Sequence, residues 1–93
     1  MIITQNRHFE VPFLDPKEFQ LAWGMPVEKA AEALGISPIT FRSYSFQSTA
    51  KGHRTPPRPI CALAGALSYY LLSQEVEPEN PELVSHILDL LPK

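Results

Sequence analysis

Residues 30–44 read AAEALGISPITFRSY. Two helix-forming runs meet there at Ala-Leu-Gly-Ile-Ser-Pro, and the way that junction is built decides the fold. Gly35 is the residue that turns left-handed without a side-chain clash, so it ends the first run. Ser37 offers a side-chain oxygen to the next helix, and Pro38 fits the first helical position, where no amide hydrogen is needed. Ala31 is small where the second helix crosses the first. Leu34, Ile36, Phe41 and Tyr44 supply apolar anchors for the joint. The spacing predicts a helix from Pro26 to Leu34, a tight turn, and a second helix running to Phe46 or Gln47. Together these form a helix-turn-helix over residues 26–47.

The second helix is less apolar than core packing alone requires. At about 100° per residue, Phe41 and Tyr44 point towards the first helix, while Ile39, Arg42, Ser43 and Phe46 point the other way. A face of this kind suits a major groove. Arg42 reaches guanine or phosphate, Thr40 and Ser43 reach bases or backbone, and Ile39 meets a thymine methyl. Ser37 and the helix N-terminus suit a phosphate oxygen. Gln47 extends the same surface.

Working outward, MIITQNRHFEVPFL opens the chain with apolar residues at Ile3, Phe9, Val11 and Phe13. That partial alternation predicts a short strand or extended arm over 1–14, with Pro12 confining it to an edge. Asp15, Pro16 and Glu18 mark the start of a helix that buries Phe19, Leu21, Ala22 and Trp23 and stops at Gly24. After the helix-turn-helix comes QSTAKGHRTPPRP, an irregular proline-rich connection. ICALAGALSYYLLSQ, within 58–74, is the most apolar helix and the expected centre of the core. Asn80 and Pro81 then start an amphipathic helix over 80–91. Its stripe of Leu83, Val84, Ile87, Leu88 and Leu91 exceeds what a thin core needs and predicts a homodimer interface. The fold class is mainly α, with four to five helices in a single domain over 1–93.

The formal net charge is −2 over 93 residues, but it is unevenly spread. Residues 33–74 carry Arg42, Lys51, Arg54 and Arg58 and no acid, whereas both flanks are acidic. A polyanion would be drawn to the middle alone. Lys51, His53, Arg54 and Arg58 follow the second helix of the pair, where phosphates of a bound duplex would run. Arg58 also precedes an apolar helix, where a cation does nothing for the helix dipole. The N-terminal stretch lacks a basic start followed by an apolar run, so no secretory leader is expected. The apolar run at 60–72 is too short to span a bilayer. One cysteine, Cys61, fits a reducing cytoplasm.

VEKAAEALGISPITFRSYSF resembles the helix-turn-helix of MerR-type regulators and related winged-helix proteins, including small phage excisionases. In GISPITFRSY, Thr40, Arg42 and Tyr44 fall on that family's Thr-Leu-Arg-Tyr-Tyr run, and KGHR resembles its Gly-Tyr-Arg wing. The similarity covers about a third of the chain. RTPPRP stands where a wing hairpin would, and the long coiled coil and effector domain of MerR-type activators have no counterpart. Cro-like and phage-repressor-like domains, with a loop and a further packed helix after the recognition helix, fit residues 47–74 as well. The resemblance implies that Arg42 contacts DNA and that 51–58 grips its backbone.

The sequence therefore predicts a cytoplasmic, phage-like, sequence-specific double-stranded DNA-binding protein, a small transcriptional repressor acting as a homodimer. An excisionase-like architectural recombination factor is one alternative. A protein-interaction adaptor of antitoxin or phage-modulator type is another. No enzyme activity, cofactor, metal or small-molecule effector is expected. No nucleophile elbow, phosphate loop or zinc spacing is present, and His8, His53 and His86 lie far apart. Cys61 reads as a small buried hydrophobe, and Trp23, Tyr69 and Tyr70 as core or interface aromatics.

Overall fold

The computed structural model describes residues 11–45 and 51–92. The chain is mainly α-helical. Its elements are α1 (Pro16–Trp23), α2 (Val27–Ala33), α3 (Pro38–Ser43), α4 (Arg58–Ser73), a 3-10 turn (Pro81–Val84) and α5 (Ser85–Leu88). No strand occurs among the described residues.

Local chemistry sets most of these boundaries. The Asp15 carboxylate accepts from the Lys17 amide at 2.9 Å, and Pro16 opens α1. Gly24, at φ 62°, closes α1, with the Gly24 and Met25 amides both returning to the Gln20 carbonyl. The turn after α2 is a Schellman motif. Gly35, at φ 72°, donates to Glu32 O, and Ile36 donates to Ala31 O. These bonds satisfy carbonyls that the helix end would otherwise leave open. At Ser37 the side-chain oxygen accepts from the Thr40 amide at 3.0 Å, so α3 is capped as its sequence predicts.

The core consists of Leu14, Phe19, Ala22, Ala30, Ala31, Leu34, Phe41, Ala64, Leu72, Val84 and Ile87. Four of these are alanines, which let α1, α2 and α4 approach closely. At Gly65 the approach is closest. A Cβ there would run into the Pro12 carbonyl. The adjacent Leu14 amide donates to the Cys61 carbonyl at 3.1 Å. Residues 12–14 are therefore pinned on α4, and 11–14 form no strand. The rest of the expected arm, 1–10, lies outside the described residues. Trp23 donates through Nε1 to the fully buried Ser68 hydroxyl at 2.9 Å, so the polar edge of the indole is satisfied inside the fold.

The C-terminal region departs from the expected single helix over 80–91. It is a 3-10 turn followed by one turn of α5. Asn80 precedes it without a side-chain cap bond. Its amide nitrogen instead donates to Leu21 O at 2.7 Å, and the backbone amides of Glu79 and Asn80 both donate to Ala22 O. This segment caps the end of α1 rather than the start of its own helix. The expected dimer stripe is corrected accordingly. Val84 and Ile87 are fully buried, Leu83 and Leu91 are half-buried against the core, and only Leu88 is exposed. A core so rich in alanine needs large side chains to close its end, and Val84 and Ile87 provide them.

Candidate nucleic-acid interface

α2 and α3 pack directly against each other and form the helical pair expected from Ala30–Tyr44. Phe41 is buried and Tyr44 half-buried on the side facing α2. Ile39 stands on the opposite side at 79 % exposure, the most exposed large apolar residue described. Arg42 and Ser37 are also exposed, and Thr40 is half-buried. Ser37 donates to Thr40 Oγ1 at 3.0 Å while accepting from the Thr40 amide, so Ser37 is occupied by its own helix and the Thr40 hydroxyl proton points onward.

Ser43 does not lie on this open face. It is 6 % exposed, and its hydroxyl donates to the Thr40 carbonyl at 2.6 Å. Further along the chain, the Arg54 amide donates to Ser43 O at 3.2 Å. That bond closes the C-terminal end of α3 and brings Gly52 and Arg54 beside Ser43. The expectation that Ser43 reads bases is therefore corrected: its side chain is largely buried and its hydroxyl already donates to Thr40. α3 is also shorter than expected, since Tyr44 and Ser45 form a turn. Phe46 and Gln47 lie outside the described residues.

The same backbone bond brings the basic connection next to α3. Ile39, Thr40, Ser43, Gly52 and Arg54 line one shallow groove of about 250 Å³. Gly52, at φ 91°, makes the turn that returns the chain to it. Arg54 is exposed at the groove, Lys51 is exposed next to Gly52, and His53 is half-buried. The expectation that 51–54 follows the second helix of the pair rested on the position of its basic residues and on the resemblance of KGHR to a wing.

Arg42 and Arg58 have partners inside the molecule. Arg42 Nη2 lies 3.1 Å from Glu28 Oε2, in an ion pair whose side chains are 51 % and 66 % exposed. Pairs this open contribute about 0–1 kcal/mol, so Arg42 is released at little cost. Arg58 stacks its guanidinium over the Phe13 ring, 4.6 Å from the centroid. This contact explains why a cation stands at the start of α4: it packs on the pinned segment 12–14. His86, on α5, meets the same residue through Nε2 at 3.1 Å from Phe13 O. A carbonyl only accepts, so that nitrogen carries the hydrogen.

Chemistry elsewhere is sparse. The Cys61 thiol is held above its ordinary range, first by burial and then by the Asp15 carboxylate. Among the described residues no three His, Cys, Asp or Glu side chains cluster as metal ligands. No helix among them is long and apolar enough to cross a membrane. No family model, curated protein or solved structure matches the chain.

Proposed function

We propose that this chain binds double-stranded DNA, with α3 entering the major groove and the 51–54 connection following the phosphates. The observation that carries this reading is the exposure of Ile39 in the first turn of α3, with Arg42 further along the helix and Lys51 and Arg54 on the loop bonded to its end. Ile39 offers a methyl contact to thymine, Thr40 a hydroxyl, and Arg42 a fork for guanine or a phosphate. Lys51 and Arg54 neutralise phosphates and fix the orientation of α3 without reading sequence. Arg58 is four residues beyond Arg54, within about 14 Å of it along the chain, and extends the basic rim. A regulator, and more narrowly a repressor, is the role that fits a chain whose candidate groove-reading surface is so small.

The Glu28–Arg42 pair gives the interface a competitor for its central cation. A duplex must draw Arg42 away from Glu28, and a bidentate base contact at about 1–3 kcal/mol exceeds what an exposed ion pair contributes. The test is selection of bound sequences from random duplex DNA, followed by binding isotherms on the selected site. Arg42→Ala should weaken binding by about 1–3 kcal/mol and relax base preference at one position. Glu28→Gln should tighten it about two- to threefold. No enrichment of any sequence, with no shift of duplex DNA at low salt, overturns the proposal. The apolar exposure of Ile39 also favours a second reading, an adaptor seating a partner's apolar side chain in the groove beside it. Stable co-purification of one protein, lost in Ile39→Asp, in the absence of any DNA shift, would establish that reading instead.

A further inference from the structure

Ile39 and Thr40 are consecutive residues of α3, and both line the shallow groove that Ser43, Gly52 and Arg54 also line. Ile39 offers it a branched alkyl group at 79 % exposure. Thr40 offers it a hydroxyl whose polarity is set from behind. The Ser37 oxygen accepts from the Thr40 amide at 3.0 Å, and the Ser37 proton goes to Thr40 Oγ1, also at 3.0 Å. The Ser43 hydroxyl gives its proton to the Thr40 carbonyl at 2.6 Å. Among the described residues, the Thr40 proton is therefore the one hydroxyl proton of this helix not yet given to a partner. Arg54 has donors and no acceptor. An edge that fits this groove carries a methyl group beside a hydrogen-bond acceptor.

We infer that this groove reads a single thymine, with Ile39 against its C5-methyl group and Thr40 donating to its O4, and that Ser37 is the positioning residue that makes the groove reject cytosine. The inference rests on the DNA reading above and names the base that the site takes. In the major groove, thymine alone among the bases sets a methyl group next to an acceptor on one ring edge. Cytosine presents an amino donor where thymine presents O4, and it has no methyl group. That donor would meet the Thr40 proton. A hydroxyl is ordinarily indifferent to such a choice, because it rotates to donate or to accept. The Ser37 bond removes the indifference. With Ser37 already on Thr40 Oγ1, the proton points ahead into the groove, and turning it aside to accept from cytosine leaves it without a partner. Discrimination of thymine from cytosine thus comes from two groups that can be removed separately, the methyl contact and the direction of one proton.

The test replaces each thymine of the selected duplex in turn with deoxyuridine or with 5-methylcytosine paired to guanine. Deoxyuridine keeps O4 and loses the methyl group, whereas 5-methylcytosine keeps the methyl group and exchanges the acceptor for a donor. At one thymine, the wild type should bind the deoxyuridine duplex about fourfold more weakly and the 5-methylcytosine duplex about tenfold more weakly. Ile39→Ala should abolish the first difference and keep the second. Thr40→Val should abolish the second alone, by losing affinity for thymine. Ser37→Ala should also abolish the second, but by gaining affinity for 5-methylcytosine, a gain that loss of a helix cap does not produce. A wild type indifferent to either replacement at every thymine overturns the inference and leaves DNA binding standing. So do Ile39→Ala and Thr40→Val effects that fall on different base pairs, and a Ser37→Ala protein that still rejects 5-methylcytosine. No shift of duplex DNA by the wild type overturns the DNA reading itself, and the thymine site with it.

Discussion

Glu75 occupies a position that glycine fills at the ends of α1 and α2. Its φ is 63°, and no other non-glycine among the described residues is positive. Its amide donates to Leu72 O, and the Val76 amide donates to Leu71 O, so α4 ends in the same motif as α2. A side chain in this conformation costs about 1 kcal/mol. Glu75→Gly should therefore stabilise the fold by about 0.5–1 kcal/mol and raise the melting midpoint by a few degrees. Cys61 supplies the residue-scale test of pH. Its thiol holds its proton more tightly in the folded chain than in the unfolded one, first through burial and then through Asp15. The associated stability is complete below the ordinary thiol range and is lost as pH rises through the raised value. Denaturant midpoints should fall on the alkaline side, and Cys61→Ala should flatten that fall.

At the scale of elements, the sequence was most legible where a helix carried its own punctuation. Asp15-Pro16, Gly24, Gly35 and Ser37-Pro38 each do what local chemistry predicts, because capping depends on neighbours in the chain. Reading failed where a side chain had a choice of distant partners. Asn80 has the composition of a cap, yet it bonds to Leu21, 59 residues away. Ser43 lies on the outward arc of a helical wheel, but a wheel has no knowledge of a loop returning beside it through Arg54. Val84 and Ile87 have the periodicity of an interface, and only the small volume of the alanines opposite them reveals that the core claims them. The contact between α4 and residues 12–14 was half visible. Ala62, Ala64, Gly65 and Ala66 leave room for a close neighbour on α4, but the composition does not say which segment takes it. Gly65→Ala should force Pro12 outward, expose Leu14 and cost about 1–3 kcal/mol in urea unfolding.

For the whole molecule, the decisive quantity is where charge lies rather than how much there is. A net charge of −2 would argue against a polyanion partner if it were evenly spread. Arg42, Lys51 and Arg54 stand together around α3, and no acid occurs from residue 33 to 74. If these three neutralise phosphates, log affinity should fall against log salt with a slope of about −3 per bound chain. Equilibrium titrations across a range of salt concentrations check this, and Lys51→Ala should make the slope shallower by about one. The clasp of residues 79 and 80 on the end of α1 has a consequence for motion. Those amides sit in irregular chain near the surface, where exchange with solvent would ordinarily be fast. Because both are bound to the Ala22 carbonyl, they gain access to water only when the first helix and the tail come apart, so deuterium should enter them as slowly as it enters the first helix itself.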